Sequence, residues 1–359
     1  MALFTEEQTL LRDSAKAWVT EKSPVSQLRK LRDSGNEDGF DRAVWREMAE
    51  MGWTGILIPE EYGGTGLGYL TLGIVLEETG RTLTASPLVS TALVAASAIV
   101  LGGSEAQKKT YLPRIADGSL VAAFAVEEGP HHHPDNLSIR AEKKGDRALL
   151  TGKKQFVAEG GSADLIVVAA QGGLYLVDGK ARGLTRQKLR SLDSRGFANL
   201  AFESVEAEPL GNVATQVLDR TRAGLAAEML GTATQAFEIT LDYLKTRTQF
   251  GQLIGTFQAL QHRAAKMYTD LELTRSCVEA ALSAFDNNSN DAAQLASLAK
   301  AKAGETLHLV SNEMVQMHGG IGMTDAHDAG LYLKRARVAE ALYGGASFHR
   351  DRYATLLGY

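Results

Sequence analysis

LDRTRAGLAAEMLGTATQAFEITLDYLKTR, residues 218–247, contains no proline, and its apolar residues return every three or four positions. That spacing lays one apolar stripe along a long helix. FQALQHRAAKMYTDLELTRSCVEAALSAF (257–285) and DAAQLASLAKAKAGETLHLVSNEMVQMH (291–318) repeat the pattern, and the breaks between the three are short and polar or glycine-containing. Breaks so short between helices so long make neighbours antiparallel, which predicts a helical bundle from residue 213 to the C-terminus.

Upstream of that bundle the period changes. LVAAFAV (120–126), LSIRAEKK (137–144), RALLTGKKQFVA (147–158), DLIVVAAQ (164–171) and LYLVDG (174–179) are short, rich in β-favouring residues and bounded by Gly, Asp or Pro, the marks of strands. KKGDR (143–147) carries a Gly-Asp turn signal for a hairpin. Before residue 119 the pattern is helical again. Thr5 begins a capping box with Gln8, ahead of Leu10, Leu11, Ala15 and Trp18 at helical spacing. VWREMAEMGW and GYLTLGIVLEETGR read likewise, with the glycine-rich turn PEEYGGTGLG (59–68) between them. The expected fold is α+β and multi-domain: an N-terminal helical domain (1–118), a small β barrel or sandwich (119–212) and a C-terminal four-helix bundle (213–359).

Composition narrows the function classes. The 359 residues are 44% hydrophobic and 23% charged, with net charge −5, ordinary for a globular protein. No basic cluster is dense enough to track a phosphate backbone, so nucleic acid is not an expected partner. Apolar runs fall short of the ~20 residues that a membrane span needs, and the N-terminus lacks the order of a signal peptide; the expected location is the cytoplasm. Cys277 is the single cysteine, which leaves no intrachain disulfide or thiolate cluster.

Four motifs invite chemistry. HHHPD (131–135) places three adjacent histidines in a loop, where they cannot all face one ion, and no metal site is expected. GGTGLG (63–68) and HGGIG (318–322) do not follow a strand and open a helix, as a dinucleotide fingerprint must; Gly319 reads equally well as a helix C-cap. RTQFG (247–251) sets a cation, an amide and an aromatic ring at a helix end. It is either a solvated terminus or a grip on an anionic cofactor, Arg pairing with pyrophosphate oxygens and Phe with a ring.

Taken together, PEEYGGTG, AEKKGD, RTQFGQLIGTFQALQH, VQMHGGIG and LYGG, in this order, resemble the acyl-CoA dehydrogenase family over essentially the whole chain. The resemblance implies FAD as cofactor, an acyl-CoA thioester as substrate and α,β-dehydrogenation in fatty acid or steroid degradation. It also implies a tetramer built as a dimer of dimers, with an electron-transfer flavoprotein or similar acceptor. Such chemistry needs a carboxylate beside the α-proton and hydrogen bonds that polarise the thioester carbonyl, while the flavin takes the hydride.

The family's base is usually a Glu after a Tyr in the C-terminal loop; here Gly344 follows Tyr343. Other members carry it before a retained Arg early in the first long C-terminal helix; here Thr221 precedes Arg222. Glu228, two turns beyond Thr221, is the nearest substitute, with a structural ion pair as its alternative role. Arg222 and Tyr343 are the implied substrate contacts.

In the family each flavin is shared across a dimer. The side supplied by the neighbour is kept: Arg247, Phe250, Gln258, Gln316, Gly319 and Gly320. On the ring-holding side, Val126, Glu127, Glu128 and the histidines 131–133 replace hydroxyl-bearing motifs. Phe156, Val157, Ala158 and Glu159, before Gly160 and Gly161, replace another, and Ala346 and Phe348 replace a Thr and a Gln. A buried polar flavin edge left unpaired costs ~1–3 kcal/mol per group. The expectation is a subunit, as in the heteromeric α2β2 enzymes of steroid side-chain breakdown, that lacks the base and completes a partner's FAD site. The alternatives are a self-sufficient homo-oligomeric enzyme with a relocated base, and a non-catalytic acyl-CoA-binding or scaffold protein.

Overall fold

The computed structural model describes residues 4–359. Its first helix, α1 (Glu6–Lys22), starts with the capping box written in its sequence. The Thr5 hydroxyl accepts from Gln8 N and the Gln8 amide oxygen accepts from Thr5 N, both at 3.1 Å, which satisfies two donors that a helix start leaves bare. α2 (Val25–Asp33), α3 (Arg42–Glu50) and α4 (Gly68–Arg81) follow. The glycine-rich turn at 63–68 does open a helix, α4, but a 3-10 turn at Glu60–Tyr62 precedes it and not a strand. A π-helical segment, Leu88–Ala95, runs into α5 (Ala96–Gly102), and α6 (Glu105–Ala116) ends the helical third.

Seven strands come next: β1 (Ala122–Ala125), β2 (Arg140–Lys144), β3 (Arg147–Ala158), β4 (Leu165–Ala170), β5 (Gly173–Asp178), β6 (Leu184–Arg190) and β7 (Gly196–Gly211). Then α7 (Ala214–Thr246), the two-residue strands β8 (Thr248–Gln249) and β9 (Gln252–Leu253), α8 (Gln258–Asp286), α9 (Ala292–His318), α10 (Ala329–Ala341) and α11 (Ala346–Leu356) complete the chain. The order is an N-terminal helical domain, a central β region and a C-terminal helical domain. No helix among the described residues is long and apolar enough to cross a membrane.

In packing, the chain forms two compact units. One comprises Gln27–Leu72 and Ala85–Thr221; the other comprises Met1–Ser26, Gly73–Thr84 and Arg222–Tyr359.

In the first unit the strands are ordered β1-β4-β5-β7-β3-β2, with β6 also on β7. β1 and β4 are parallel and every other pair is antiparallel. The hairpin at KKGDR forms as its turn signal requires: Lys144 pairs with Arg147 across Gly145, at φ +63°, and Asp146. β7 is the hub, paired with β3, β5 and β6 along its length. Ile139, Leu150, Val157, Ile166, Val168, Val177, Leu200, Phe202 and Val205 close the sheet core, each side chain contributing roughly 1.5–3 kcal/mol by leaving water. The π-helical segment is tied to β1 by Thr91, whose hydroxyl accepts from Ala122 N at 2.8 Å and donates to Ala122 O at 3.1 Å.

In the second unit α9 is the central helix. Ala296, Ser297, Ala299, Lys300, Ala303, Leu307, Val310, Ser311 and Met314 are all buried along it, against α8, α10 and α11. The end of α4 crosses α7 at backbone distance. A Cβ at Gly80 would stand 2.1 Å from Glu228 O, and one at Gly231 1.8 Å from Glu77 O, so only glycine fits at either position. Thr232 Oγ1 donates to Gly80 O at 3.0 Å, and Tyr332 OH donates to Arg81 O at 2.6 Å. This crossing fixes the stretch of α7 that carries Arg222 and Glu228.

Candidate cofactor and substrate site

Tyr243, near the end of α7, stacks on His318, the last residue of α9, with ring centroids 4.3 Å apart. The two helices therefore end side by side, and the chain leaves each in a tight turn. After α7, Arg247 leads into β8 and β9, joined by Phe250 (φ +53°) and Gly251 (φ +77°). Two successive residues at positive φ are what a two-residue hairpin of this hand requires. The Phe250 ring is 86% exposed and meets the edge of Phe257 at 6.2 Å. Gln258, exposed, opens α8 at the foot of this hairpin. After α9, Gly319 takes φ +61° and its N–H returns to Gln316 O, so it is the helix C-cap. Open space surrounds the position that a Cβ would take at Gly319 and at Gly320.

Arg247, Phe250, Gln258, Gln316, Gly319 and Gly320 thus lie at three helix ends of one unit. Arg247 has Gln249 at 3.3 Å and remains exposed. A cation, an exposed aromatic face and two bare backbone positions make a donor set that fits a diphosphate joined to a ring system.

The loop between α10 and α11 contains Tyr343, at φ +57°, and Gly344, at φ +104°. Tyr343 O accepts from Arg222 Nε at 3.4 Å and from His349 Nε2 at 3.1 Å. The Arg222 guanidinium also lies over the Phe348 ring, 5.4 Å from its centroid. Arg222 and Tyr343 are therefore together, and the bond between them runs to the Tyr343 main chain. Glu228 is buried and is bound by Arg335: its Oε1 accepts from Nη2 at 2.9 Å and from Nε at 3.1 Å. That is the geometry of the structural alternative, an ion pair inside the helical unit. Thr221, also buried, donates to Val217 O at 2.7 Å, one turn back along α7.

In the β-containing unit, the segment 126–138 is closed on itself. His132 Nδ1 lies 2.5 Å from Glu127 Oε1. The Glu128 carboxylate accepts from Ser138 N and Oγ, both at 2.6 Å, and from Lys154 Nζ at 2.7 Å. Burial raises the Glu128 carboxyl, but the bonds from Lys154 and Ser138 outweigh it and hold the group below the usual carboxylate range. Lys154 is wholly buried and also donates to Val126 O at 2.9 Å. Phe156 (φ +51°) sits at a bulge of β3, half exposed, with its N–H on Asn199 Oδ1 at 3.2 Å. These residues spend their polar groups on one another, and Val126, Phe156, Val157 and Ala158 have no polar side-chain atom to offer a flavin edge. The side chains of this segment do not supply the polar contacts that the resemblance asks of it. Among the described residues no group of three His, Cys, Asp or Glu is placed to hold a metal.

Two features here are absent from the sequence reading: Lys154 as the buried partner of Glu128, and Lys300 beside the Tyr343 loop. Lys154 sits in a run expected to be a strand and Lys300 in one expected to be a long helix, and neither pattern marks a single lysine as buried.

Comparison with known proteins agrees with this architecture. Residues 5–119 match the model of the acyl-CoA dehydrogenase N-terminal domain, and residues 211–357 that of the acyl-CoA dehydrogenase C-terminal domain. The chain is 32% identical to acyl-CoA dehydrogenase IpdE2 of Mycobacterium tuberculosis, over 94% of this chain and 93% of that protein. It is also 32% identical to mitochondrial isovaleryl-CoA dehydrogenase of Pongo abelii, over 97% and 88%. Among solved structures, a variant of the Tcur3481-Tcur3483 steroid ACAD superposes with a TM-score of 0.93 at 35% identity, covering 98% of each chain.

Proposed function

The chain belongs to the acyl-CoA dehydrogenase family of oxidoreductases, whose members are flavoproteins, and we propose that it acts as the subunit that lacks a catalytic base and completes a partner's FAD site. The observation that carries this reading is the contrast between two groups of residues. Arg247, Phe250, Gln258, Gln316, Gly319 and Gly320 stand open at three adjacent helix ends. The loop at Gly344 carries no carboxylate, and the segment 126–138 is closed by its own hydrogen bonds.

Bound FAD supplies the acceptor for the β-hydride. Arg247 pairs with the diphosphate, Phe250 packs on the ring system, and the bare backbone at Gly319 and Gly320 admits close approach. Arg222 and Tyr343 line the path of the acyl-CoA. Glu228, already paired with Arg335, is a structural residue in this reading, and the partner brings the base. The assembly is a dimer of dimers, and the electron acceptor is an electron-transfer flavoprotein. The likeness to a steroid ACAD supports a bulky, steroid-derived acyl group.

Flavin content decides between this reading and a self-sufficient enzyme. The chain purified alone is expected to lack stoichiometric FAD and turnover; co-expressed with a related chain bearing Glu at the position of Gly344, it is expected to give a yellow, active complex. Full FAD and turnover in the isolated chain defeat the proposal.

A further inference from the structure

Lys300 is in the middle of α9 with about 1% of its surface exposed. Its ammonium group donates to Ala339 O at 3.1 Å, Glu340 O at 3.2 Å and Gly344 O at 3.1 Å. The first two are carbonyls of the last turn of α10, which a helix end leaves without partners; the third belongs to the loop that follows. Three N–H donors meet three carbonyl acceptors, so the buried amine is fully used. The same loop is gripped from two other helices, because Tyr343 O accepts from Arg222 on α7 and from His349 on α11.

We propose that Lys300 is the positioning residue of the Tyr343–Gly344 segment, clamping the end of α10 and the loop through main-chain carbonyls so that Tyr343 is presented in one fixed backbone conformation. Each contact is made to the main chain, so the clamp does not depend on the side chain at position 344. That is why the loop stays built with glycine there. Tyr343, a non-glycine residue, sits at φ +57°, which persists only where surroundings over-determine it, and Lys300, Arg222 and His349 are those surroundings.

The charges facing Lys300 are few: Arg222 on α7, and Arg335 and Glu340 on α10, with Glu228 neutralising Arg335. Burial first, and then the Arg222 charge, bring the amine down to about 7. A neutral amine carries two N–H donors against three carbonyls, so loss of a proton costs the clamp one of its three bonds.

The role of this segment in acyl-CoA binding rests on the proposed function, whereas the clamp itself does not. The test is hydrogen exchange on the intact chain with Lys300→Met, which keeps the volume of the side chain and removes the donors. Amides of residues 342–349 are expected to exchange about tenfold faster or more, while the β8–β9 hairpin and the first turns of α8 keep their wild-type rates. Unchanged rates at 342–349, or equal acceleration throughout the unit, overturn the proposal. If Lys300→Met does not fold, the wild-type lysine Nζ spectrum decides: a slowly exchanging Nζ signal assigned to Lys300 upholds the clamp, and a rapidly exchanging one overturns it.

A second arm measures binding of octanoyl-CoA and of a bile-acid CoA thioester to the co-expressed complex. If the wild type binds neither, the acyl-CoA reading fails while the exchange result stands. If the wild type binds and Lys300→Met binds equally well despite a fast-exchanging loop, the positioning role fails. The expected result is about tenfold weaker binding in the variant.

Discussion

Glu228 Oε1 takes both Nε and Nη2 of Arg335, at 3.1 and 2.9 Å, with both side chains buried. Removing either partner breaks this ion pair while the other charge stays in the protein interior. Glu228→Gln and Arg335→Met are each expected to lower stability by about 3–5 kcal/mol, and the double variant by less than their sum. Urea denaturation measures this. A Glu228→Gln chain of unchanged stability whose complex has lost turnover would instead return Glu228 to a role as base.

Phe250 should show opposite effects on stability and on function. Its φ of +53° costs an aromatic residue about 1 kcal/mol, and its ring is 86% exposed. Phe250→Gly is therefore expected to raise the stability of the chain by roughly 0.5–1 kcal/mol. The same change should lower the FAD retained by the co-expressed complex several-fold, read by absorbance after desalting. Unchanged flavin content argues against a grip on the cofactor.

Under the proposed function, a carboxylate placed at position 344 is not expected to give turnover in the isolated chain. At φ +104° an L side chain is strained, and Gly344→Glu is expected to cost about 1–3 kcal/mol. The isolated variant is expected to show no acyl-CoA turnover, since the Glu127 and Glu128 carboxylates of the 126–138 segment remain bonded to His132, Ser138 and Lys154. Steady-state kinetics and thermal unfolding of the one preparation check both statements.

Glu78 sets a pH dependence of known sign. It is buried on α4, its Oε2 lacks a hydrogen bond, and Arg81 Nε stands 3.7 Å away. Burial is the main cause of a carboxyl pushed up from 4.5 to about 7. Between those values the folded chain keeps a proton that the unfolded chain releases, so stability falls as pH rises from about 4.5 to about 7 and levels off above. Glu78→Gln removes this loss. The variant should gain on the wild type across that window and be more stable by on the order of 2 kcal/mol at pH 8. Urea titrations at pH 5, 6, 7 and 8 supply the comparison.

The long helices, the Thr5 cap and the 145–146 hairpin were legible because each depends on residues close in sequence. Strands β6 and β7 were not, although β7 holds the sheet together. LTRQKLR has only two apolar residues among charged and polar ones, without alternation, and passes for surface. In β7 the residue at Ser204, with φ +52°, falls where the pairing with β3 slips between Leu150 and Gly152, so the alternation that buries Phe202 resumes out of phase at Val205. The RTQFG and HGGIG ends were legible as helix termini, because a glycine follows each helical run within a few residues. The clamps on the Tyr343 loop were not, since their acceptors are main-chain carbonyls, which every residue carries and no sequence distinguishes.

The Tyr343–Gly344 loop has a one-way character. A carboxylate can vanish from position 344 in a single substitution, because Lys300, Arg222 and His349 hold carbonyls and not that side chain. Glycine occupies φ +104° without cost, whereas a returning side chain meets strain there. The change works as a ratchet, easy in one direction and resisted in the other. Under the proposed function, a subunit that has passed this point depends on a partner for the proton-abstracting step.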